Sequence, residues 1–289
     1  MAFIKKIKKD NPIKLYKYAG EGLEDKGPAL IEDDNYVKVC FVDLETTGLN
    51  YASDEIIEIG MRVLAVNKND YKDFSSVKEY ESYSDTDIEI DDEITLLTGI
   101  TKGMIQGHSI DWDEVSRVLD VSDVVVAHNA SFDRHFLSKN MDFNNVWACS
   151  KADISWIDRG FLNTKLELLS IWHGFFYDSH RAMNDVNATI HLLLHPSYEN
   201  YPPLEELVEN AKKPHFLIIN KFPYNEALIK KIKGTRKYRY NASDKSWRGF
   251  FNDKEILDQE VEWLKENIYN GYFTGEIVEI PLYDKYKII

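Results

Sequence analysis

The chain has 289 residues, 44% hydrophobic and 29% charged, which suits a soluble globular protein with one domain of roughly 200 residues and a smaller second domain. No apolar run approaches the roughly 18 residues that cross a bilayer, and no apolar segment follows the basic start MAFIKKIKKD, which predicts a cytoplasmic protein without membrane association or secretory signal. The formal net charge of −14 disfavours a polyanionic partner unless positive charge is concentrated in one region.

The first predicted elements are an N-terminal extension over residues 1–35 and three strands. Six lysines in the first 17 positions and a Gly, Glu and Asp stretch mark the extension. The nearly continuous apolar run YVKVCFVDL then predicts a strand buried on both faces. EIIEIGMRVLAV and VKEYESYS predict the next two strands, with NKND at the turn between them. Cys40 and Cys149 lack CxxC spacing, so both are predicted to be small buried side chains.

Helical patterns predominate after the third strand. IDDEITLLTGI and DWDEVSRVLDV have acidic starts and apolar residues spaced for one helix face, with TKGMI as a short turn between them. DVVVAH and VWACS predict two more strands, separated by a helix that begins near Ser131. Helices near 150–157, 164–173 and 181–195 complete a layered α/β domain over residues 36–195.

Prolines mark the end of this domain. Four of them between positions 196 and 214 interrupt the helical pattern, which predicts a linker over residues 196–213. Residues 214–289 predict a small α+β domain. Its predicted elements are a strand HFLII, a helix around YNEALIKKIK, a hairpin RKYRYNASDKSWRGFF, a helix DKEILDQEVEWLKENIY and a terminal strand EIVEI.

Three short segments contain candidate catalytic side chains. Asp43 and Glu45 in VDLETTGL are two residues apart at a strand end, so both carboxylates point to one face, which is costly unless a cation lies between them. Asp133 falls in the first turn of the helix after VVVAH. His180 lies just before a helix that contains Asp185, in HRAMND.

Each segment alone has an ordinary structural explanation. An isolated DxE pair is more often a solvated strand end, a helix-start acid is usually structural, and most single histidines face solvent. Two-metal phosphodiester hydrolysis, however, requires carboxylate oxygens around two divalent ions about 3.5 to 4 Å apart and a separate base for the attacking water. The ordered set of four carboxylates and one histidine therefore predicts a nuclease site.

Seven longer segments also stand in a definite order: FVDLETTGL, DEIIEIGM, LLTGITKGMI, VVVAHNASFDRHFL, VWACSKADISW, KLELLSIWHGF and HRAMNDVNATIHLL. Together they resemble the DEDDh 3′–5′ exonucleases, the family of the proofreading subunit of bacterial replicative polymerases. The resemblance implies an RNase H-like fold with a mixed five-stranded sheet flanked by helices. It also implies two Mg²⁺ or Mn²⁺ ions and release of nucleoside monophosphates from a 3′ end.

The resemblance implies roles for individual residues. Four are similar to the metal-binding acids of the family: Asp43, Glu45, Asp133 and Asp185. His180 is similar to the general base, and a histidine at this place is typical of the DEDDh branch. Positions similar to those that contact the terminal nucleotide or line its cleft are Thr46, Thr47, Leu49, Asn129 and Phe132. For Phe132 a core position is an equal alternative to base stacking.

The C-terminal region is basic although the chain is acidic. Residues 228–248 contain eight Lys or Arg and one Asp, a net charge of +7, which leaves −21 for the rest. In RKYRY the cations and the tyrosines alternate, so each kind occupies its own strand face, a pattern typical of surfaces that hold phosphates and stack bases. The alternative is that Tyr238, Tyr240 and Trp247 form the small core. The candidate substrate-binding cations are Lys237, Arg239 and Arg248.

The segment NEALIKKIKGTRKYRYNASDKSW also resembles the HARP-type DNA-binding module of annealing helicases. The sequence thus predicts a 3′–5′ exonuclease acting on DNA, with the basic module binding substrate. RNA trimming is the alternative activity, because the same acids cleave either polymer. A nucleic-acid-binding or scaffold protein without activity is disfavoured because all five positions are intact. A polymerase or repair-protein partner stays open.

Overall fold

The computed structural model describes residues 14–23, 28–235 and 237–287. The chain divides into two compact units, one of Met1–Glu209 with Tyr286–Ile289 and the other of Asn210–Lys285. Among the described residues, no helix has both the length and the apolar character that a membrane span requires.

The first unit is built around a mixed five-stranded sheet. The strands of the whole unit are β1 (Tyr16–Lys17), β2 (Tyr36–Thr46), β3 (Ile56–Asn67), β4 (Asp70–Tyr83), β5 (Val124–Ala127), β6 (Val146–Cys149) and β7 (Phe175–Phe176). Its helices are α1 (Asp92–Thr98), α2 (Lys102–Ile105), α3 (Trp112–Asp120), α4 (Ala130–Asn140), α5 (Leu166–Trp172), α6 (Ala182–Leu193) and α7 (Pro203–Ala211), within which the two units divide. A 3₁₀ turn lies at Pro28–Leu30.

The strand order of this sheet is β4-β3-β2-β5-β6. The three strands β2, β3 and β4 pair antiparallel, whereas β5 pairs parallel to β2 and to β6. The predicted α/β fold with a mixed five-stranded sheet flanked by helices is therefore confirmed. A second, two-stranded sheet is formed by β1 and β7, which pair parallel.

The alternation of side chains along β2 explains why helices cover both faces of the sheet. Cys40, Val42 and Leu44 point into a core that also contains Val115 and Val118 of α3. The intervening side chains face the other way, where α6 packs on β2 and β3. Both predicted buried thiols, those of Cys40 and Cys149, are buried and free.

Two local predictions are wrong. The helix expected near 150–157 is a series of turns, in which the Asp153 carboxylate accepts the Cys149 N–H at 2.9 Å and the Trp156 indole donates to the Ser150 carbonyl at 2.7 Å. These tertiary polar contacts outweigh the weak local helical pattern. TKGMI, expected as a turn, contains the single-turn helix α2.

Parts of the expected extension and linker carry regular structure. Within 1–35, the described residues include β1, and Tyr18 and Leu23 are buried. Within 196–213 the chain forms α7, which begins at Pro203. Proline at the first helical position keeps its fixed φ and loses no hydrogen bond, so here it begins a helix.

The second unit is a small α+β structure, as predicted. Its elements are β8 (His215–Asn220), α8 (Glu226–Gly234), β9 (Tyr238–Asn241), β10 (Ser246–Phe251), α9 (Lys254–Asn267), β11 (Glu276–Ile280) and a 3₁₀ turn at Leu282–Asp284. The strands form an antiparallel sheet in the order β11-β8-β10-β9. Asn225 and Asp253 cap the two helices, each accepting a backbone N–H from the first turn.

Candidate active site

An acidic cluster lies where β2 ends. Asp43 and Glu45 point to the same face of the strand and stand opposite Gly60 and Glu58 of β3. Oxygen atoms of Asp43, Glu45 and Asp185 all lie within 4.8 Å of one another. Residues that are more than a hundred positions apart in the chain thus meet at one point of the sheet.

Gly60 permits this meeting, because it lets the start of α6 approach the sheet backbone. A Cβ atom at Gly60 would lie 2.6 Å from the Met183 nitrogen and 2.7 Å from the Ala182 carbonyl carbon. Any other residue would clash with the helix backbone, which cannot move aside as a flexible side chain can. The absence of a side chain at Gly60 therefore brings Asp185, in the first turn of α6, next to Asp43.

Glu58 fixes the beginning of α6. Its buried carboxylate accepts the Ala182 N–H at 2.9 Å and pairs with the Arg181 guanidinium at 2.8 Å. A carboxylate at a helix N-terminus is favoured both by the free N–H groups and by the helix dipole. Glu58 therefore holds the helix that carries Asp185.

Asp185 itself is oriented by two donors. The Tyr177 hydroxyl donates to one carboxylate oxygen at 2.8 Å, and the Arg181 backbone N–H donates to the other at 3.2 Å. Asp133 lies in the first turn of α4, where it is buried and accepts a hydrogen bond from the Leu44 backbone. That bond ties α4 to the same strand end that carries the acidic pair.

Burial opposes ionisation of all four carboxyl groups, and repulsion from neighbouring carboxylates adds to its effect at Asp43, Glu45 and Asp133. Burial is the largest cause and raises the pKa of Asp43 well above its usual range, that of Glu45 to about 8 and that of Asp133 to about 7. Burial likewise raises the pKa of Asp185 to about 6, against the opposing hydrogen bond from Tyr177. The Asp185 charge adds to the shift at each of the other three. Divalent cations would remove this cost, and hard carboxylate oxygens are the ligands that Mg²⁺ and Mn²⁺ prefer.

His180 lies directly before α6 in a left-handed conformation, with φ of 62°. Its Nε2 atom is 3.5 Å from Glu167 Oε1, and its side chain is about a third exposed, at 36%. A left-handed non-glycine residue costs about 1 to 2 kcal/mol, and here the anchoring of Arg181 and Asp185 maintains it. The imidazole therefore stands beside the acidic cluster and is open to solvent.

Residues 40–193 match the RNase_T family model, described as an exonuclease, over a range that contains the acidic cluster and His180. The chain belongs to this exonuclease family. The match confirms the resemblance to exonucleases that the motifs indicated. The proposed resemblance of the C-terminal module to HARP stays a prediction.

Similar proteins include larger bacterial enzymes. The PolC-type DNA polymerase III of Clostridium perfringens is 33% identical over 201 residues, 64% of this chain and 13% of that protein. The 3′-5′ exonuclease DinG of Staphylococcus aureus is 27% identical over 241 residues, 80% of this chain and 25% of that protein. This chain thus spans only a small part of these relatives. A solved structure of exonuclease X with 5′ overhanging duplex DNA is 18% identical, with 59% of this chain and 98% of that chain covered and a TM-score of 0.40.

The residues expected to contact the nucleotide differ in exposure. In the exonuclease domain, the Thr46 hydroxyl donates to the Gly48 carbonyl at 2.6 Å and the Thr47 hydroxyl accepts the Glu55 N–H at 3.1 Å, so both threonines shape the loop after β2. Leu49 in that loop is 86% exposed. Its exposed side chain can contact a bound nucleotide without rearrangement of the loop.

Asn129 and Phe132 lie at the start of α4. Asn129 is exposed and has a φ of 116°, which places it just before the helix. Phe132 packs against the core of the sheet, and its ring centroid lies 4.8 Å from that of Phe136. This packing favours the core alternative for Phe132.

The three cations expected to bind substrate lie in the second unit and have different surroundings. Lys237 pairs with the buried carboxylate of Glu260, which also accepts the Tyr238 hydroxyl at 3.0 Å. Lys237 therefore neutralises a buried charge, and this ion pair competes with phosphate for the ammonium group. Arg248 pairs with Asp244 at 3.1 Å, whereas Arg239 is exposed.

Sequence analysis missed the residues that assemble the site: Glu58, Gly60, Tyr177 and Arg181. One signal was available, because Glu58 is a charged residue inside the otherwise apolar strand EIIEIGM. A charge buried in a strand needs a partner. The partner could not be named from sequence, since Arg181 lies on a distant element.

Proposed function

We propose that this chain is a divalent-metal-dependent 3′–5′ exonuclease that hydrolyses phosphodiester bonds at the 3′ end of DNA and releases nucleoside monophosphates. The observation that carries the proposal is the convergence of Asp43, Glu45 and Asp185 oxygens within 4.8 Å. Two relatives bear the names DNA polymerase III and 3′-5′ exonuclease, which supports DNA as the substrate and the 3′ end as the site of attack.

Asp43, Glu45, Asp133 and Asp185 would hold two Mg²⁺ or Mn²⁺ ions. Bound cations of this kind would supply activation of the attacking water and stabilisation of charge on the departing oxygen. Asp133 is buried and the other three acids are partly buried, and together they provide the negative charge that would retain such cations. Tyr177 keeps the Asp185 carboxylate in one orientation through its hydrogen bond.

His180 takes the proton of the attacking water in this proposal. Its position five residues before Asp185 and its partial exposure support this role, because solvent can reach the imidazole. Glu167 Oε1 lies 3.5 Å from the His180 Nε2 atom. Leu49 is the proposed contact for the terminal base, because it is apolar and 86% exposed in the loop that follows β2.

The test uses 5′-labelled DNA and RNA oligonucleotides of one sequence, incubated with Mg²⁺, Mn²⁺ or EDTA. We expect DNA products that shorten progressively from the 3′ end with either metal and no shortening in EDTA. Faster shortening of RNA would replace the proposal by RNA trimming. Intact DNA and RNA under all conditions would favour a binding or scaffold protein. Asp185→Asn, which keeps the side-chain shape, controls for contaminating nuclease.

A further inference from the structure

The sheet of the second unit has one face covered by α9, whereas the other face is buried at Leu217 of β8 and exposed at Arg239 of β9 and Phe250 of β10. Phe216, Ile218 and Phe251 share one core with Leu257 and Leu264 of α9, so their face is the covered one. Since side chains alternate along a strand, Arg248 and Phe250 of β10 point to the other face. Arg239 of β9 stands opposite Arg248 and shares that face. We use the term open face for the surface formed by Arg239, Arg248 and Phe250.

The tyrosines of RKYRY are on the covered face instead. Tyr238 is buried and bonded to Glu260, and Trp247 is buried in the same core. The Tyr240 ring centroid lies 5.2 Å from that of Trp247. The core alternative is therefore correct for Tyr238 and Trp247 but not for Tyr240, which is 52% exposed. On the face that carries the arginines, the exposed aromatic side chain is Phe250.

The open face carries a concentration of positive charge. Arg239 and Arg248 are directly opposite each other on antiparallel strands, an arrangement that is destabilising for like charges. Asp244 pairs with Arg248 at 3.1 Å, but Lys221 also lies 3.7 Å from the same carboxylate. Arg239 is exposed beside this pair and can receive a bound anion.

Phe250 adds an aromatic surface to this charge. Its side chain is 59% exposed, two positions from Arg248 on the same face. A nucleic acid single strand supplies both a phosphate for the arginines and a flat base for the phenyl ring. An acidic peptide supplies only the charge. The charge complementarity and the exposed ring together favour the nucleic acid.

We propose that the open face binds single-stranded nucleic acid, with Arg239 and Arg248 on phosphates and a base stacked on Phe250. The choice of nucleic acid among polyanions rests on the proposed exonuclease function. The face is separate from the acidic cluster in its residues and its charge, and its binding does not require divalent metal.

The experiment measures fluorescence anisotropy of a 5′-labelled 20-nucleotide oligothymidylate with the full chain in EDTA, over a series of salt concentrations. Phe250→Ala should weaken binding about 5- to 100-fold, as loss of one stacked base does. Arg239→Glu should weaken binding at least about tenfold, and Arg239→Ala should lower the log–log salt slope by about 0.7. Two controls lie in the same unit. Lys230→Glu changes the charge equally on α8, and Tyr272→Ala removes an aromatic ring that is 83% exposed.

Both controls should bind within about twofold of wild type, and circular dichroism and melting temperature should show that every variant is folded. Unchanged affinity in folded Phe250→Ala and Arg239→Glu would overturn the proposal, and so would equal losses in Lys230→Glu and Arg239→Glu. Competition by polyglutamate as strong as by unlabelled oligonucleotide would assign the face to an acidic protein. Cleavage with Mg²⁺ is scored separately, so wild-type binding without cleavage would contradict the exonuclease function alone.

Discussion

The two units each bring like charges together, but in different surroundings. In the first unit the carboxyl groups of Asp43, Glu45 and Asp185 meet in a partly buried cluster, and burial raises the pKa of Glu45 to about 8. In the second unit Arg239 and Arg248 stand opposite each other on neighbouring strands, where Arg239 is exposed and Arg248 partly exposed. The repulsion between buried charges is weakly screened, so they need a tightly held counter-ion. The repulsion between exposed charges is screened by salt over a distance of about 10 Å. The first arrangement suits resident cations, and the second suits a ligand that exchanges.

The largest expected effect comes from removing one charge of the buried cluster. Asp43→Asn, Glu45→Gln or Asp185→Asn should lower kcat at saturating Mg²⁺ by about 100-fold or more, because several kcal/mol of charge stabilisation are lost. Oligonucleotide affinity, measured in EDTA, should stay within about twofold, since the open face is intact. A folded variant that keeps more than a tenth of wild-type kcat would argue strongly against the site.

Replacement of the proposed base should also act on turnover alone. His180→Asn should lower kcat about 100-fold or more, within the range for loss of a general base, while leaving KM and metal-dependent thermal stabilisation nearly unchanged. His108→Asn, a change at another histidine of the same unit, is the matched control. Equal kcat values for His180→Asn and wild type would remove His180 from the mechanism without affecting the carboxylates.

The approach of α6 to the sheet can be tested at Gly60. Gly60→Ala should destabilise the fold by about 1 to 3 kcal/mol, as overpacking in a tight core does, because the added Cβ would meet the Met183 nitrogen at 2.6 Å. Displacement of α6 should lower kcat as well. Gly103→Ala is the control, since its Cβ would meet nothing nearer than 4.0 Å. Equal urea midpoints for the two variants would show that Gly60 does not control the helix position.

The smallest effect concerns the pH dependence of stability in EDTA. Carboxyl groups of an unfolded chain lose protons near pH 4, about 3.9 for Asp and 4.3 for Glu. In the folded protein the pKa is about 8 for Glu45, about 7 for Asp133 and about 6 for Asp185. Between these limits the folded state binds more protons, so the free energy of unfolding decreases as pH rises from about 4 to 8.

Mg²⁺ should therefore raise the melting temperature more at pH 8 than at pH 5, with about 2.7 kcal/mol of stabilisation at a hundredfold excess over Kd. In Asp43→Asn without metal, the decline in stability between these pH values should be smaller. Asp158→Asn, a change at an exposed acid, should behave like wild type. An equal Mg²⁺ effect at both pH values would mean that the cluster is already ionised without metal.

Regular patterns made most of the fold predictable. Alternating and continuous apolar runs placed the strands of the five-stranded sheet and of the four-stranded sheet in the second unit. Helix spacing placed α3, α6 and α9. The failures occurred where the deciding contact is tertiary or positional. Asp153 and Trp156 bond the backbone around 150–157 into turns. The linker over residues 196–213 stays a prediction, since this range contains both the helix that begins at Pro203 and the division between the two units.

The candidate site follows a similar division. Motifs indicated the acids and the histidine, because the type and the order of these side chains are visible in the sequence. The residues that hold the site together could not be identified from the sequence, for opposite reasons. Gly60 acts through the absence of a side chain, and Glu58 acts through a pairing with Arg181 across elements that no local pattern connects. Sequence analysis missed the open face because tertiary packing decides which face of a strand the helices cover.

The pairing of β1 with β7 has a consequence for where this catalytic domain begins. Phe175 in β7 is fully buried, with the Tyr16 and Tyr18 rings each 6.0 Å from its own. Two positions later Tyr177 orients Asp185. The family match starts at residue 40, so a polypeptide cut to those limits would uncover Phe175 and loosen the segment that leads to His180. The family match and the structure that packs around Phe175 therefore begin at different residues of this chain.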